Sequence, residues 1–114
     1  MENRFEVVFL AEAFRFLKSV NTKHAEKILF NIRRAQQDHD PELLKKINSE
    51  IWEFRTHYQG LQYRLFAFWD KTNSSETLVI ATHGIIKKQW KVADKEIAKA
   101  MAIRKKYFLD KSKK

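Results

Sequence analysis

Six charged or titratable side chains between residues 53 and 88 could act together on a phosphate group: Glu53, Arg55, Arg64, His83, Lys87 and Lys88. Arginine offers a planar fork of N–H donors that matches phosphate oxygens, and lysine adds positive charge. Histidine or glutamate can move a proton. A second interpretation is slightly favoured by spacing alone: Arg55 pairs with Glu50 or Glu53, and the two lysines form a solvated edge.

A predicted hairpin would position the two arginines. In its first strand Trp52 and Phe54 fall on one face, whereas Glu53 and Arg55 fall on the other, as in a half-buried strand. The second strand is predicted over residues 63–69. The pattern therefore puts Glu53 and Arg55 on the polar face of a sheet.

The turn of this hairpin sets the register between its strands. Gly60 can adopt the positive φ that a tight turn requires, and Gln59 would share a two-residue turn with it. Arg55 and Arg64 would then be cross-strand neighbours, an arrangement that is destabilising by itself because like charges face each other. A bound phosphate would relieve that repulsion.

The remaining pattern predicts a strand over residues 4–10, a helix ending near residue 21, a second helix to about residue 37, a strand over residues 77–83 and a last helix from Asp94. This order predicts an α+β fold with a twisted, mainly antiparallel sheet. The N-terminal helix pair would cover one face, and a C-terminal helix would follow the sheet. Residues 1–114 are predicted to form a single domain.

Four histidines differ in their predicted surroundings. His24, His39 and His57 lie in polar segments or turns, where a surface position is expected. His83 closes a predicted strand and precedes Gly84, which indicates a sharp strand exit. It is either a titrating group of the site or a histidine that caps the strand end.

The charge of the chain favours a polyanionic partner. Lysine and arginine number 23 against 14 acidic residues, which gives a formal net charge of +9 and a pI near 9.9. Nucleic acid is the leading partner class, and an anionic membrane is less favoured because no basic amphipathic membrane helix is evident. The absence of cysteine, of a signal peptide and of a long apolar run leads us to expect a cytoplasmic protein.

Three stretches carry a resemblance to a known family: LLKKINSEIWEFR, GLQYRLFAFW and VIATHGIIKKQWKVADKEIAKAMAIRKKYF. In order and spacing they are similar to the RelE/ParE superfamily of toxin-antitoxin toxins, and within it to the HigB-like branch that includes phage-derived proteins. The resemblance implies a small RelE-like domain. The chain departs from the family pattern at Ile85 and Ile86, and at Trp90 and Ala93, where related chains often carry Thr and Pro.

The resemblance also implies an activity, namely metal-independent cleavage of messenger RNA on the ribosome by attack of a 2′-hydroxyl on the adjacent phosphate. No cofactor is implied, and the implied partners are a helix-turn-helix antitoxin, the ribosome and messenger RNA, but no membrane. The residues carried over as catalytic are Arg55, Arg64, His83, Lys87 and Lys88, and those carried over as RNA contacts are Lys45, Lys46 and Tyr107. Tyr107 could donate a proton if the last helix folds back over the sheet, and Glu53 is a second candidate base.

Two other functions remain open at this point. One is a ParE-like inhibitor that binds a topoisomerase without catalysis. The other is a basic RNA-binding module without cleavage, which would need exposed stacking aromatics. Tyr58, Tyr63 and Trp90 are candidates for that role.

Overall fold

The computed structural model describes residues 3–74 and 76–113. The protein folds as a five-stranded sheet that lies between a helix pair and a third helix. The elements in chain order are β1 (Glu6–Phe9), α1 (Ala11–Ser19), α2 (Thr22–Gln37), β2 (Leu44–Lys46), β3 (Trp52–Tyr58), β4 (Leu61–Asp70), β5 (Leu78–Lys87) and α3 (Asp94–Ser112). The predicted α+β class and element order are confirmed, with β2 as an additional strand.

The sheet has the strand order β1-β5-β4-β3-β2. Neighbouring strands run antiparallel except β1 and β5, which pair in parallel. The mainly antiparallel sheet was therefore predicted correctly. Strand β2 escaped prediction because a strand of three residues is too short to show an alternating pattern.

Helices cover both faces of this sheet. Helix α2 buries an apolar stripe that includes Ile28 and Ile32 against Phe54 and Leu65, as predicted for the helix pair. On the opposite face the fully buried Ala100 of α3 belongs to a second core, whose other buried residues are Ile51, Phe66, Phe68 and Ile80. The last helix therefore folds back over the sheet.

The β3–β4 turn has the backbone conformation that the sequence predicts. Gln59 has φ 49° and Gly60 has φ 80°. Positive φ at both central residues is the mark of a type I′ turn, whose twist matches that of the flanking strands. The turn consequently sets the register in which Arg55 faces Arg64.

The predicted strand exit at His83 is wrong. Strand β5 continues through Gly84 to Lys87, and Gly84 pairs with Leu65 inside the sheet. A Cβ atom at Gly84 would lie 2.6 Å from Cε2 and 2.7 Å from Cγ of Phe16 on α1. Glycine is required here because a helix side chain occupies the space of its missing Cβ, and no turn is involved.

Candidate functional site

The predicted arginine pair lies on the sheet face that α3 also covers. Arg55 and Arg64 are direct partners in the β3–β4 register, on the same face as Glu53. On the outer side of β3, Lys45 of β2 pairs with Glu53, and on the other side Lys87 of β5 pairs with Gln62. The alternation of strand residues therefore gathers four cations and one carboxylate on one patch of this face, which we call the basic patch: Lys45, Glu53, Arg55, Arg64 and Lys87.

Glu53 lies between the two arginines. Its Oε2 atom is 3.5 Å from Nε of Arg55 and 3.6 Å from Nε of Arg64, so it is an ion-pair partner of both without a close hydrogen bond. Its Oε1 atom is buried and has no hydrogen-bond partner within the described part of the chain. The predicted Arg55–Glu53 pair is thus present, but one carboxylate does not balance four cations.

The two arginines differ in accessibility. Arg64 is only 3% exposed, and it donates from Nη1 to the carbonyl of Tyr63 and from Nη2 to Oε1 of Gln62, at 3.0 and 2.9 Å. Burial lowers the pKa of Arg64, and Glu53 partly offsets this. The Arg55 side chain remains 28% exposed. Arg64 is therefore fixed in place by its neighbours, whereas Arg55 can reach a ligand from solvent.

Lys87 completes the electrostatic character of the patch. Burial lowers its pKa first, and the positive charges of Arg64, Arg55 and Lys45 lower it further. Repulsion of this kind requires that the four cations lie near one another. An anion bound among them would remove the repulsion, so the patch is suited to a phosphate group.

The other predicted lysines lie elsewhere. Lys46 pairs with Trp52 and points to the helix-pair face, where it lines a groove of about 590 Å³ with Trp52 and Trp69. The Lys45–Lys46 pair is split between the two faces because neighbouring strand residues alternate. Lys88 is exposed in the segment that follows β5.

His83 is buried under α3. It is 3% exposed, its ring stacks on Phe66, Nε2 lies 3.1 Å from Oε1 of Glu96 and Nδ1 lies 3.0 Å from Oγ1 of Thr82. Burial lowers the pKa of His83 despite the nearby Glu96 carboxylate. A neutral ring then donates from Nε2 to Glu96 and accepts from Thr82 at Nδ1. Both ring nitrogens are engaged, so His83 has no free atom for a ligand.

Tyr107 is separated from the basic patch. Its hydroxyl donates to Oδ2 of Asp70 at 2.6 Å, and Lys111 contacts the same oxygen at 2.6 Å. Asp70 is the last residue of β4, whereas Arg64 lies near its beginning, about 20 Å away at a rise of about 3.3 Å per residue. Helix α3 thus places Tyr107 at the C-terminal end of β4, too far from the arginines for contact.

His24 was predicted at the surface, and this is wrong. Its ring is buried, with Nδ1 2.6 Å from the Tyr63 hydroxyl and Nε2 3.0 Å from Oε1 of Gln59. Together these contacts join α2 to the β3–β4 turn. His24 precedes the buried Ile28 by four residues, which places both on one face of the helix. This spacing could have identified His24 as buried from the sequence.

Gln62 is a site residue that the sequence pattern could have revealed. It alternates onto the same face as Arg64, and its amide oxygen orients that guanidinium. No group of three or more His, Asp or Glu side chains in residues 3–74 and 76–113 is arranged to hold a metal ion.

A family model described as phage derived protein Gp49-like (DUF891) matches residues 15–105. The chain belongs to the Gp49-like family. This is a toxin family of toxin-antitoxin systems that is related to RelE and HigB. The Gp49-like match spans the whole basic patch and His83, but it ends before Tyr107. No curated protein matches the chain.

Over the described residues, none of α1, α2 and α3 combines the length and the apolar character needed to cross a bilayer.

Proposed function

We propose that this Gp49-like protein is the toxin of a type II toxin-antitoxin system and acts in the cytoplasm as a ribosome-dependent endoribonuclease of the RelE/HigB type. The observation that carries the proposal is the basic patch, in which Lys45, Arg55, Arg64 and Lys87 surround a single carboxylate. Such a patch is suited to bind one phosphate of an RNA chain tightly and in a fixed orientation.

The proposed reaction is an internal phosphoryl transfer. The 2′-oxygen of one nucleotide bonds to the adjacent phosphorus, and the bond from phosphorus to the 5′-oxygen of the next nucleotide breaks. The products are a 2′,3′-cyclic phosphate and a 5′-hydroxyl. Negative charge accumulates on the phosphoryl oxygens in the transition state, so preorganised cations accelerate the step.

Within this reaction the two arginines have different tasks. Arg55 and Lys87 are partly exposed and contact the scissile phosphate directly. Arg64 is held by Tyr63 and Gln62, so it contributes a fixed charge that needs no rearrangement during the reaction. Lys45 and Lys88 are exposed and contact neighbouring phosphates.

We assign the general base to Glu53 in preference to His83. Glu53 lies among the cations, and its Oε1 atom, although buried, makes no hydrogen bond within the described residues, so it can accept the 2′-hydroxyl proton of an RNA that enters between the arginines. His83 lies under α3 with both ring nitrogens bonded. The proton that the leaving 5′-oxygen requires comes from Lys87, whose pKa is lowered by burial and by the surrounding cations.

The proposed partner is a helix-turn-helix antitoxin with an acidic segment. With a net charge of +9, the protein attracts a neutralising polyanion over long range. Co-purification from the native operon tests this part of the proposal. Recovery of the protein without a second small chain would contradict it.

Cleavage of a messenger on programmed ribosomes tests the catalytic proposal. Arg64→Ala should lower the cleavage rate by a factor of about ten to a thousand. This is the scale seen when one preorganised donor is lost from a transition state. Arg64→Lys should rescue poorly because an ammonium group cannot keep both contacts, with the Tyr63 carbonyl and the Gln62 amide oxygen, that fix the charge in place. Arg33→Ala is the matched control, since Arg33 is exposed on α2 and its loss changes the net charge equally.

The thermal unfolding of each variant is measured on the same preparation. Full cleavage by folded Arg64→Ala protein would refute the catalytic assignment. If the unchanged protein leaves the messenger intact on ribosomes but inhibits a topoisomerase, the ParE-like alternative replaces the proposal.

A further inference from the structure

Trp90 is the most exposed large apolar side chain in the described residues, at 94%. It lies in the segment of residues 88–93 that joins β5 to α3. Tryptophan side chains are on average highly buried because the indole ring has a large apolar surface. An indole that is fully presented to solvent therefore suggests a ligand that covers it.

The segment leads directly out of the basic patch. Lys87 is the last residue of β5, so the Cα atom of Trp90 is no more than about 11 Å from that of Lys87 at full extension. Lys88 and Lys91, on either side of Trp90, are both exposed. A ligand over the indole would thus meet positive charge on both sides and lie beside the proposed phosphate site.

The other candidate aromatics cannot take this role. Tyr63 is buried, and its hydroxyl contacts His24 on the helix-pair face. Tyr58 packs edge-on against the His24 ring, with centroids 4.9 Å apart. Of the three aromatic residues that the sequence offers for stacking, Trp90 is the one whose ring faces are free.

We propose that Trp90 stacks on an unpaired RNA base next to the scissile phosphate, while Lys88 and Lys91 hold the flanking phosphates. This inference rests on the proposed function and adds to it a base-binding contact. The basic patch recognises only the RNA backbone, whereas single-stranded RNA is usually held by aromatic stacking as well. Stacking is tolerant of base identity because every base has a π-face, so the contact contributes affinity and position.

A protein partner fits the surroundings of Trp90 less well. The centres of protein–protein interfaces are depleted in lysine, yet exposed lysines flank this indole. Alternating aromatic and basic residues are instead typical of surfaces that follow a nucleic-acid strand. The test must therefore distinguish contact of Trp90 with RNA from contact of Trp90 with the antitoxin.

The test compares Trp90→Phe, which keeps an aromatic face, with Trp90→Leu, which keeps an apolar side chain without one. The probe is a single-stranded RNA oligonucleotide with 2′-O-methyl groups, which the enzyme cannot cut. Trp90→Leu should bind it at least about fivefold more weakly, whereas Trp90→Phe should stay within about threefold of the unchanged protein. The slope of affinity against salt should not change, because no charge is lost.

Phe14→Leu is the matched control, because Phe14 is an aromatic that is 54% exposed on α1 and lies outside the segment. Its RNA affinity should equal that of the unchanged protein. In addition, the oligonucleotide should quench a component of tryptophan fluorescence that Trp90→Phe protein lacks, since Trp52 and Trp69 are less accessible.

The unpaired base could belong to the messenger or to ribosomal RNA. Binding to ribosomes with and without a messenger distinguishes them: a defect of Trp90→Leu only on programmed ribosomes identifies a messenger base, and an equal defect on empty ribosomes identifies a ribosomal one.

Equal RNA affinity of Trp90→Leu and unchanged protein would overturn the inference, as would an equal loss in the Phe and Leu variants. Weakened antitoxin binding with normal RNA binding would also overturn it and would make Trp90 a protein contact. Because the oligonucleotide assay needs no cleavage, stacking can be measured even if the protein proves not to be a nuclease.

Discussion

Replacing Gly84 by alanine should test how closely α1 packs on the sheet. The new methyl group would lie 2.6 and 2.7 Å from two ring carbons of Phe16, where carbon atoms normally approach no closer than about 3.5 Å. Cδ2 of the Phe16 ring lies closer still, so either the ring or the whole of α1 must move by at least about an ångström. Phe16 is partly buried against the core that lies between the helix pair and the sheet, so a shift of its ring disturbs that packing.

The expected cost follows from two opposing effects. Overpacking a well-packed core typically costs about 1–3 kcal/mol. Gly84 has no positive φ, so alanine is tolerated by the backbone and recovers about 0.4–1 kcal/mol by reducing the entropy of the unfolded chain. We expect the free energy of unfolding to fall by a net of about 1–2 kcal/mol, with basic-patch residues unaltered.

The measurement is the free energy of unfolding in urea for the wild-type protein, the two single variants and the double variant of a double-mutant cycle. Phe16→Ala should lower stability by itself through a cavity, but Gly84→Ala should cost less in its presence, by at least about 0.5 kcal/mol. Gly60→Ala is the control, since Gly60 has nothing within 4 Å of its missing Cβ and any loss there comes from its positive φ. A neutral Gly84→Ala, or costs that add with Phe16→Ala, would refute the packing argument.

Three further variants test the interactions described above. Asp70→Asn should lower the free energy of unfolding by about 1–3 kcal/mol, because a buried hydrogen-bonded charge is lost. Burial would raise the pKa of Asp70, but hydrogen bonds from Lys111, Tyr107 and Thr72 outweigh it and lower the pKa well below its usual range. In urea titrations, the difference in the free energy of unfolding between the wild-type protein and Asp70→Asn should therefore become smaller only below about pH 4. Burial lowers the pKa of His83 in the folded protein, so the free energy of unfolding should fall as the pH drops below about 6.5. His83→Gln should remove that part of the pH dependence, and an unchanged pH profile would contradict this prediction. Glu53→Gln should slow ribosome-dependent cleavage by about 10²- to 10⁴-fold while inorganic phosphate still binds in calorimetry, and undiminished cleavage would exclude Glu53 as the base.

The hairpin at the centre of the site is specified by local sequence pattern. Alternation over residues 52–55 assigned faces to side chains, and Gly60 identified the turn, so the pairing of Arg55 with Arg64 could be predicted from the residue order alone. These features depend on contacts between near neighbours in the chain. Strand periodicity and turn conformation are local properties, so a single sequence contains them.

Short or unusual elements were harder to predict for local reasons. Strand β2 is only three residues long, so Lys45 and Lys46 could not be assigned to opposite faces. Gly84 was interpreted as a strand exit, since glycine commonly interrupts strands. The sequence contains no mark that distinguishes a glycine needed for a turn from one needed for the close approach of Phe16.

Long-range packing determines which polar side chains are free to act. His24 contacts Tyr63 across 39 residues of sequence, and Tyr107 contacts Asp70 across 37. Glu96 on α3 occupies Nε2 of His83, so this nitrogen is not available to a ligand of the basic patch. Burial and ion pairing depend on which elements pack together, and that packing joins residues whose separation along the chain has no periodic signature. Residue types thus predicted a phosphate-binding chemistry, but only the packing of α2 and α3 on the two sheet faces determined which of those residues are accessible to a ligand.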